Sequence, residues 1–358
     1  MKIIVTKYLN VRLGAPSVNA PCYNYLAPGS TIEVEENTVT GDVYDDNDQW
    51  YKGLDGSYYW SGGAALPVAA SPAFSTAGSA LDYSKLFKNI PENIRLSKGK
   101  DVTIAVLDTG IFQAHPDLAA AFRETLYPAQ NTSDSTTKDD ANGHGTHVAG
   151  LIGARGTADS SITGIAPACT LQNLKVLSDD GSATGSYIEN GLNKLFPKTD
   201  IVNMSLSVTY DEFQHMATII DRVAKTSIVV CAAGGNERLL ASEDNLLFPG
   251  YSQSVISVGT IDSTFIKGTP NPVFHANLDY IVPDLDLRSS SLQKDGLYKT
   301  RKGSSMAAAL VSGLVALIIS AGKKTNTIDL AYVKSQLDKI AVKYSAAADL
   351  NSLNLIKP

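Results

Sequence analysis

From residue 101 to residue 261 the chain alternates two kinds of segment, and this alternation restricts the fold more than any other feature. Short unbroken apolar runs, DVTIAVLD, LQNLKVL, DIVNMSL, SIVVCAA and SVISVGTI, are separated by stretches in which apolar residues recur at helical spacing, HVAGLIGA, SYIENGLNKLF and FQHMATIIDRVAK. A strand that is apolar at successive positions must be covered on both faces, because its side chains alternate between them. Strands of this kind spaced by helices predict an α/β fold, a mainly parallel sheet between helical layers. In such a fold the chemistry gathers beyond the carboxyl ends of the strands. The 44% hydrophobic composition supplies the core that a covered sheet needs.

Residues 1 to 63 follow another pattern. Strand-like runs at KIIVTKYLNVR, STIEVEE, DQWYKG and SYYWSG are broken by turn-rich pieces such as LAPGS and GLDGS, which predicts a small all-β unit. Both tryptophans, Trp50 and Trp60, fall there. In so small a unit they serve equally well as core or as one wall of a ligand groove. The Ala, Ser and Pro-rich stretch GAALPVAASPAFSTAG reads as an inter-domain connection. The expected organisation is therefore a β module over 1–63, a linker over 64–79 and a large α/β domain over 80–358, which suits a chain of 358 residues.

Charge and cysteine usage exclude several classes. The net charge is −6 and no dense run of Lys and Arg occurs, which argues against nucleic acid or an anionic membrane as partner. Acidic residues outnumber basic ones in the first 63, so its aromatics do not read as a nucleic-acid platform. The apolar run Met306 to Ala321 is interrupted by Ser312 and Gly313 and is too short to span a bilayer, so it predicts a core helix. Cys22, Cys169 and Cys231 are distant in sequence and odd in number, and read as buried free thiols. With no recognisable export signal at the N-terminus, the expected location is cytoplasmic, while export by another route stays open.

Three stretches carry chemistry. TIAVLDTGI puts Asp108 at the end of a buried strand. An Asp before a turn is often an Asx-turn residue, and an aspartic protease needs two Asp-Thr-Gly triplets where this chain has one. NGHGTHVAGLIGA carries His144 and His147 at the start of a helix. Their spacing is not that of a zinc protease and no glutamate or third ligand accompanies them, so no metal is expected and His147 reads as a packed histidine. KGSSMAAALVSGL sets Ser305 at the head of an apolar helix, where a nucleophile and an N-cap are equally good readings. The order Asp, His, Ser is that of the subtilisin arrangement among serine-protease triads.

Taken together, AVLDTGI, GHGTHVAG, IVNMSL, VVCAAGGNE and GSSMAAALVSG, from about Leu81 to about Ala341, resemble the motifs of the subtilase family of serine proteases in order and spacing. The resemblance implies a subtilisin-like fold and peptide-bond hydrolysis through an acyl-enzyme. It implies Ser305 as nucleophile, His144 as general base and acid, Asp108 as the carboxylate that orients the imidazole, and Asn236 as an oxyanion-hole donor beside the Ser305 N–H. Two edges, Ser182, Ala183, Thr184 and Ser205, Leu206, Ser207, would pair with an extended polypeptide substrate. Ser207 and Val208 stand where the family has two glycines, and Leu247 falls near the pocket floor. These side chains imply a narrowed pocket that disfavours large aromatics, with Glu237 at its rim. Ser304 replaces the family's threonine, and Ala308, Ala309 and Leu310 replace its Ser-Pro-His, changes a helix tolerates. No cofactor is expected. GARGTADSSITGIAP takes the place of a family calcium loop, but Asp159 is its single carboxylate, too few oxygens for a strong structural calcium site.

In the first unit, LNVR, GSTIEV, WYK and YYWSGG resemble the bacterial SH3-like domain family. That likeness implies a small barrel with a peptide, protein or cell-wall ligand. The alternative function is a partner-binding scaffold that uses this module beside a catalytically silent subtilase domain.

Overall fold

The computed structural model describes residues 1–5, 9–26, 30–44, 47–65, 80–122, 128–156, 158, 161–206, 213–232, 249–250, 252–261, 278–323, 328–344 and 353–357. The chain divides into two compact units, Met1–Ala73 and Phe74–Pro358.

The second unit is built on one large sheet. Among the described residues its strands run in the order Gln130–Asn131, Thr170–Lys175, Thr103–Asp108, Ile201–Met204, Ile228–Ala232, Ile256–Ile261, Tyr280–Pro283, Leu353–Leu355 and Val342–Tyr344. Neighbours are parallel except the last two, which pair antiparallel. Each apolar strand is divided between two cores. Ile104, Val106, Ile201 and Val230 face one side, while Ala105, Leu107, Val202 and Val229 face the other. On the first side lie the helices His144–Gly153 and Ser304–Gly322, through Val148, Leu151, Ile152, Leu310, Leu314 and Leu317. On the second lie Gly185–Asn193 and Phe213–Val223, through Ile188, Leu192, Met216 and Ile220. The uninterrupted apolar runs thus have their physical cause in a sheet covered on both faces.

The strand Thr103–Asp108 lies between Thr170–Lys175 and Ile201–Met204. The chain leaves it to one side first and returns on the other, so its carboxyl end is a topological switch point, where the two connections diverge and open a crevice. The helix Ser304–Gly322 is long and apolar enough to cross a membrane, but 83% of its most apolar stretch is buried inside the unit. Gly313 lets it seat, since a Cβ there would lie 2.5 Å from Cβ of Ile165.

The first unit is all-β. A five-stranded antiparallel sheet runs Cys22–Leu26, Leu9–Leu13, Ser57–Trp60, Asn47–Lys52, Val39–Tyr44, and a three-stranded one runs Thr31–Glu33, Lys2–Val5, Ala64–Ala65. Trp50 and Trp60 belong to its core with Ile3, Val5, Leu9, Val11, Val34 and Tyr59. Each indole N–H is satisfied by a backbone carbonyl, Trp50 by Asp42 at 2.9 Å and Trp60 by Asn47 at 3.0 Å. Two expectations are corrected here. Ala64 and Ala65 are not linker but strand, paired with Val5 and Ile4; the rest of the expected linker, 66–79, lies outside the described residues. Cys22 is exposed, at the start of the edge strand Cys22–Leu26 of the five-stranded sheet, while Cys169 and Cys231 are buried free thiols as expected.

Candidate active site

Asp108 ends its strand at the switch point and is 1% exposed. Its Oδ1 accepts from the Thr109 N–H at 2.7 Å and from His144 Nδ1 at 2.7 Å. Because the partner of Nδ1 is a carboxylate, Nδ1 carries the proton and Nε2 keeps its lone pair. His144 opens the helix His144–Gly153. Two glycines make this approach feasible. Gly143 caps the helix with φ 96°, a left-handed conformation costly for a side chain, and a Cβ on Gly145 would lie 2.2 Å from the Gly110 carbonyl oxygen. Burial pulls the His144 pKa down, but the Asp108 charge and hydrogen bond together outweigh it, and the result lies above the ordinary 6.5. Asp140 adds to the rise and Arg301 opposes it.

Ser305 is the second residue of the helix Ser304–Gly322. The N-cap is Gly303, with φ 115° and no side-chain cap, so neither serine caps the helix. That removes the competing N-cap reading of the motif. The Ser305 hydroxyl donates to the Ser205 carbonyl at 3.2 Å, and the Ser205 hydroxyl donates back to the Ser305 carbonyl at 2.8 Å. Asn203 Nδ2 donates to Ser205 Oγ at 3.2 Å, and Ser312 Oγ donates to Asn203 Oδ1 at 2.9 Å. The head of the helix is therefore stitched to the strand Ile201–Met204. Asp108 and His144 are brought into contact, whereas Ser305 is bonded to Ser205 and not to the imidazole.

His147 is fully buried and separate from this cluster. Its Nε2 faces two acceptors, the Leu287 and Lys299 carbonyls, both at 3.0 Å, so Nε2 carries the proton. Burial, aided by Arg301, pushes its pKa down to about 3. It is a packed neutral histidine, as its sequence context suggests. Among the described residues no group of three His, Cys, Asp or Glu side chains could hold a metal ion.

Residues 99–346 match the subtilase family. This chain belongs to that family. It is 33% identical over 244 residues to Subtilisin NAT of Bacillus subtilis subsp. natto, an alignment that covers 68% of this chain and 61% of that protein. It is likewise 33% identical to Subtilisin of Bacillus pumilus, over 68% of this chain and 84% of that one. Identity to the Major intracellular serine protease of Bacillus subtilis (strain 168) is 36% over 236 residues, covering 62% of this chain and 70% of that protein.

In this subtilase the segment Ser182 to Thr184 follows the strand Thr170–Lys175 and leads into the helix Gly185–Asn193. Ser182 N and Oγ both donate to Asp180 Oδ1, at 2.9 and 2.7 Å, and Thr184 Oγ1 bonds Ser186 Oγ at 2.8 Å. Ser182 and Thr184 are exposed and Ala183 half-buried, whereas Ser205 and Leu206 are buried. Ser207, Val208, Asn236, Glu237, Leu247 and Asp159 lie outside the described residues. Sequence reasoning passed over Asn203, Ser312 and Lys175. Each left one signal: a polar residue inside an apolar run. Lys175 is completely buried, with Nζ donating to the Thr109 carbonyl at 2.6 Å and paired with Asp179 at 2.9 Å.

Proposed function

We propose that this chain is a serine endopeptidase. Ser305 Oγ attacks the scissile carbonyl carbon while His144 Nε2 takes the hydroxyl proton. The Ser305 N–H, at the amino end of a buried helix, and the Asn236 side chain hold the oxyanion. His144 returns the proton to the departing amine, leaving an acyl-enzyme that water resolves by the same steps in reverse. Asp108 keeps the imidazole in the tautomer that this cycle needs and stabilises its charged form. The observation that carries the proposal is the 2.7 Å contact between Asp108 Oδ1 and His144 Nδ1 at the sheet's switch point, with Nε2 left basic. The Ser305 hydroxyl exchanges the Ser205 carbonyl for Nε2 when substrate is attacked.

The substrate is a polypeptide bound as an extended strand between 182–184 and 205–207, with specificity restricted by Ser207, Val208 and Leu247 and with Glu237 at the rim. No cofactor is needed for this chemistry. The first unit serves as an SH3-like module that recruits a peptide, protein or cell-wall ligand. A cytoplasmic location is supported by the printed name of one relative, an intracellular serine protease, and by the buried thiols of Cys169 and Cys231. Because the chain spans only 61% of the first relatives' length, the activity of the whole protein is part of this proposal. The test is labelling with a fluorophosphonate probe beside Ser305→Ala, followed by cleavage profiling on a peptide library. Labelling lost in Ser305→Ala supports the protease; its absence in the parent chain favours the silent scaffold. Cleavage without sequence preference would contradict the narrowed pocket.

A further inference from the structure

The stretch KDDANGHGTH holds two adjacent aspartates of opposite fate: Asp139 is exposed and Asp140 is 8% exposed. A buried carboxylate must be compensated by donors, and Asp140 collects five. Its Oδ1 accepts from the N–H groups of Asn142 at 3.0 Å and Gly143 at 2.8 Å and from Thr109 Oγ1 at 3.0 Å. Its Oδ2 accepts from Thr146 N at 3.0 Å and Thr146 Oγ1 at 2.6 Å. The bonds to Gly143 and Thr146 grip the chain on either side of His144. The bond to Thr109 reaches the residue that follows Asp108, and Thr109 Oγ1 in turn accepts from the Gly145 N–H at 3.0 Å. Thr109 is held from its other end by Lys175.

An ordinary helix cap takes one or two N–H groups of the first turn. What exceeds a cap is the crossing to a different element: Asp140 and Thr109 together clamp the turn after the Asp108 strand onto the turn that presents His144. Resting on the protease reading above, we propose that Asp140 is a positioning residue, a second carboxylate that sets the Asp108–His144 geometry without touching substrate. Fixing two reacting groups in advance is worth large rate factors, and misplacement of about 1 Å costs up to about a hundredfold.

The charge of Asp140 adds a signature that a purely structural residue lacks. Three charged groups act on the imidazole: Asp108 and Asp140 favour its protonated form, while Arg301 opposes it; the neighbouring His147 is held neutral by burial. Removing the Asp140 charge therefore lowers the pH at which His144 loses its proton.

The experiment compares the parent chain, Asp140→Asn and the exposed control Asp139→Asn by fluorophosphonate labelling rate, by kcat and KM on a peptide from the library, and by the acidic limb of the kcat/KM profile. The expected result for Asp140→Asn is a kcat lower by roughly 10 to 100-fold, KM within about twofold, and an acidic limb displaced to lower pH. Asp139→Asn leaves all three unchanged. Should Asp140→Asn not fold, Thr109→Val, which keeps the shape and removes one hydroxyl, is expected to lose kcat while Thr109→Ser keeps it. A folded Asp140→Asn with the parent's kcat and limb overturns the proposal, as does a Thr109→Val as active as Thr109→Ser. If the parent chain itself does not label, the protease reading has failed, an outcome visible before any Asp140 variant is measured.

Discussion

At the scale of single residues, two histidines three apart have opposite electrostatic settings, and each predicts a pH dependence of its own. His144 must be neutral at Nε2 to act as a base, and its pKa is raised above 6.5 because Asp108 outweighs burial. The acidic limb of kcat/KM is therefore expected above 6.5. Asp108→Asn removes the charge and the acceptor that select the tautomer, and is expected to lower kcat about 10⁴-fold; a limb at or below 6.5 in the parent chain would show that burial wins. His147, held neutral with a folded pKa of about 3 against an ordinary 6.5, acts on stability. Between these values the unfolded chain binds the extra proton, so stability present above 6.5 is lost as pH falls toward 3, about 5 kcal/mol in all. His144, with its raised pKa, has the opposite sign: its contribution is full below 6.5 and fades as pH rises through its folded value. Thermal melts across acid pH test this, with His147→Gln expected to flatten the slope and parallel slopes contradicting it. Asp108 and His144 were legible because glycines beside them at element boundaries mark a close approach. Asp140 was not, because an aspartate in KDDANG looks like any turn residue until its five donors are seen.

At the scale of elements, apolar runs announced the strands and the helices that cover them, and the serine-rich hairpin escaped notice. Leu287–Ser290 pairs antiparallel with Tyr298–Arg301, yet its last two residues are Ser289 and Ser290, both fully buried. Leu287 joins the core, and Ser289 Oγ donates to the His147 carbonyl at 2.8 Å, so a hydrogen bond helps dock this strand, and a hydrophobicity pattern cannot register that part. The helix Ser304–Gly322 makes a quantitative test. Replacing Gly313 by Ala gains about 1 kcal/mol of helix propensity but sets a Cβ 2.5 Å from Cβ of Ile165, which is itself fully buried and cannot retreat. Overpacking of this kind costs roughly 1–3 kcal/mol, so the clash wins. Gly313→Ala is expected to lower the denaturant midpoint with an unchanged m-value, and an equal or higher midpoint would contradict the packing described.

At the scale of the whole molecule, the parallel sheet covered on both faces was legible because burial on two sides makes most strand positions apolar, the buried exceptions such as Asn203 and Lys175 being held by hydrogen bonds. The strands Leu353–Leu355 and Val342–Tyr344, which close one edge of the sheet and include its antiparallel pair, were not, since three-residue strands carry too short a pattern to read. The order of strands about Thr103–Asp108 has the largest functional consequence, because it brings segments far apart in sequence, the Asp108 turn, the His144 helix and the Ser205 segment, to the same end of the sheet. The helix headed by Ser305 joins them there through Ser205. The claim that this convergence is a hydrolytic site is tested most directly by treating the 358-residue chain with a fluorophosphonate and locating the adduct by peptide mass spectrometry. One adduct is expected, on Ser305 and absent from Ser305→Ala; no adduct, or an adduct on Ser304 or elsewhere that survives Ser305→Ala, would rule out a hydrolytic site there.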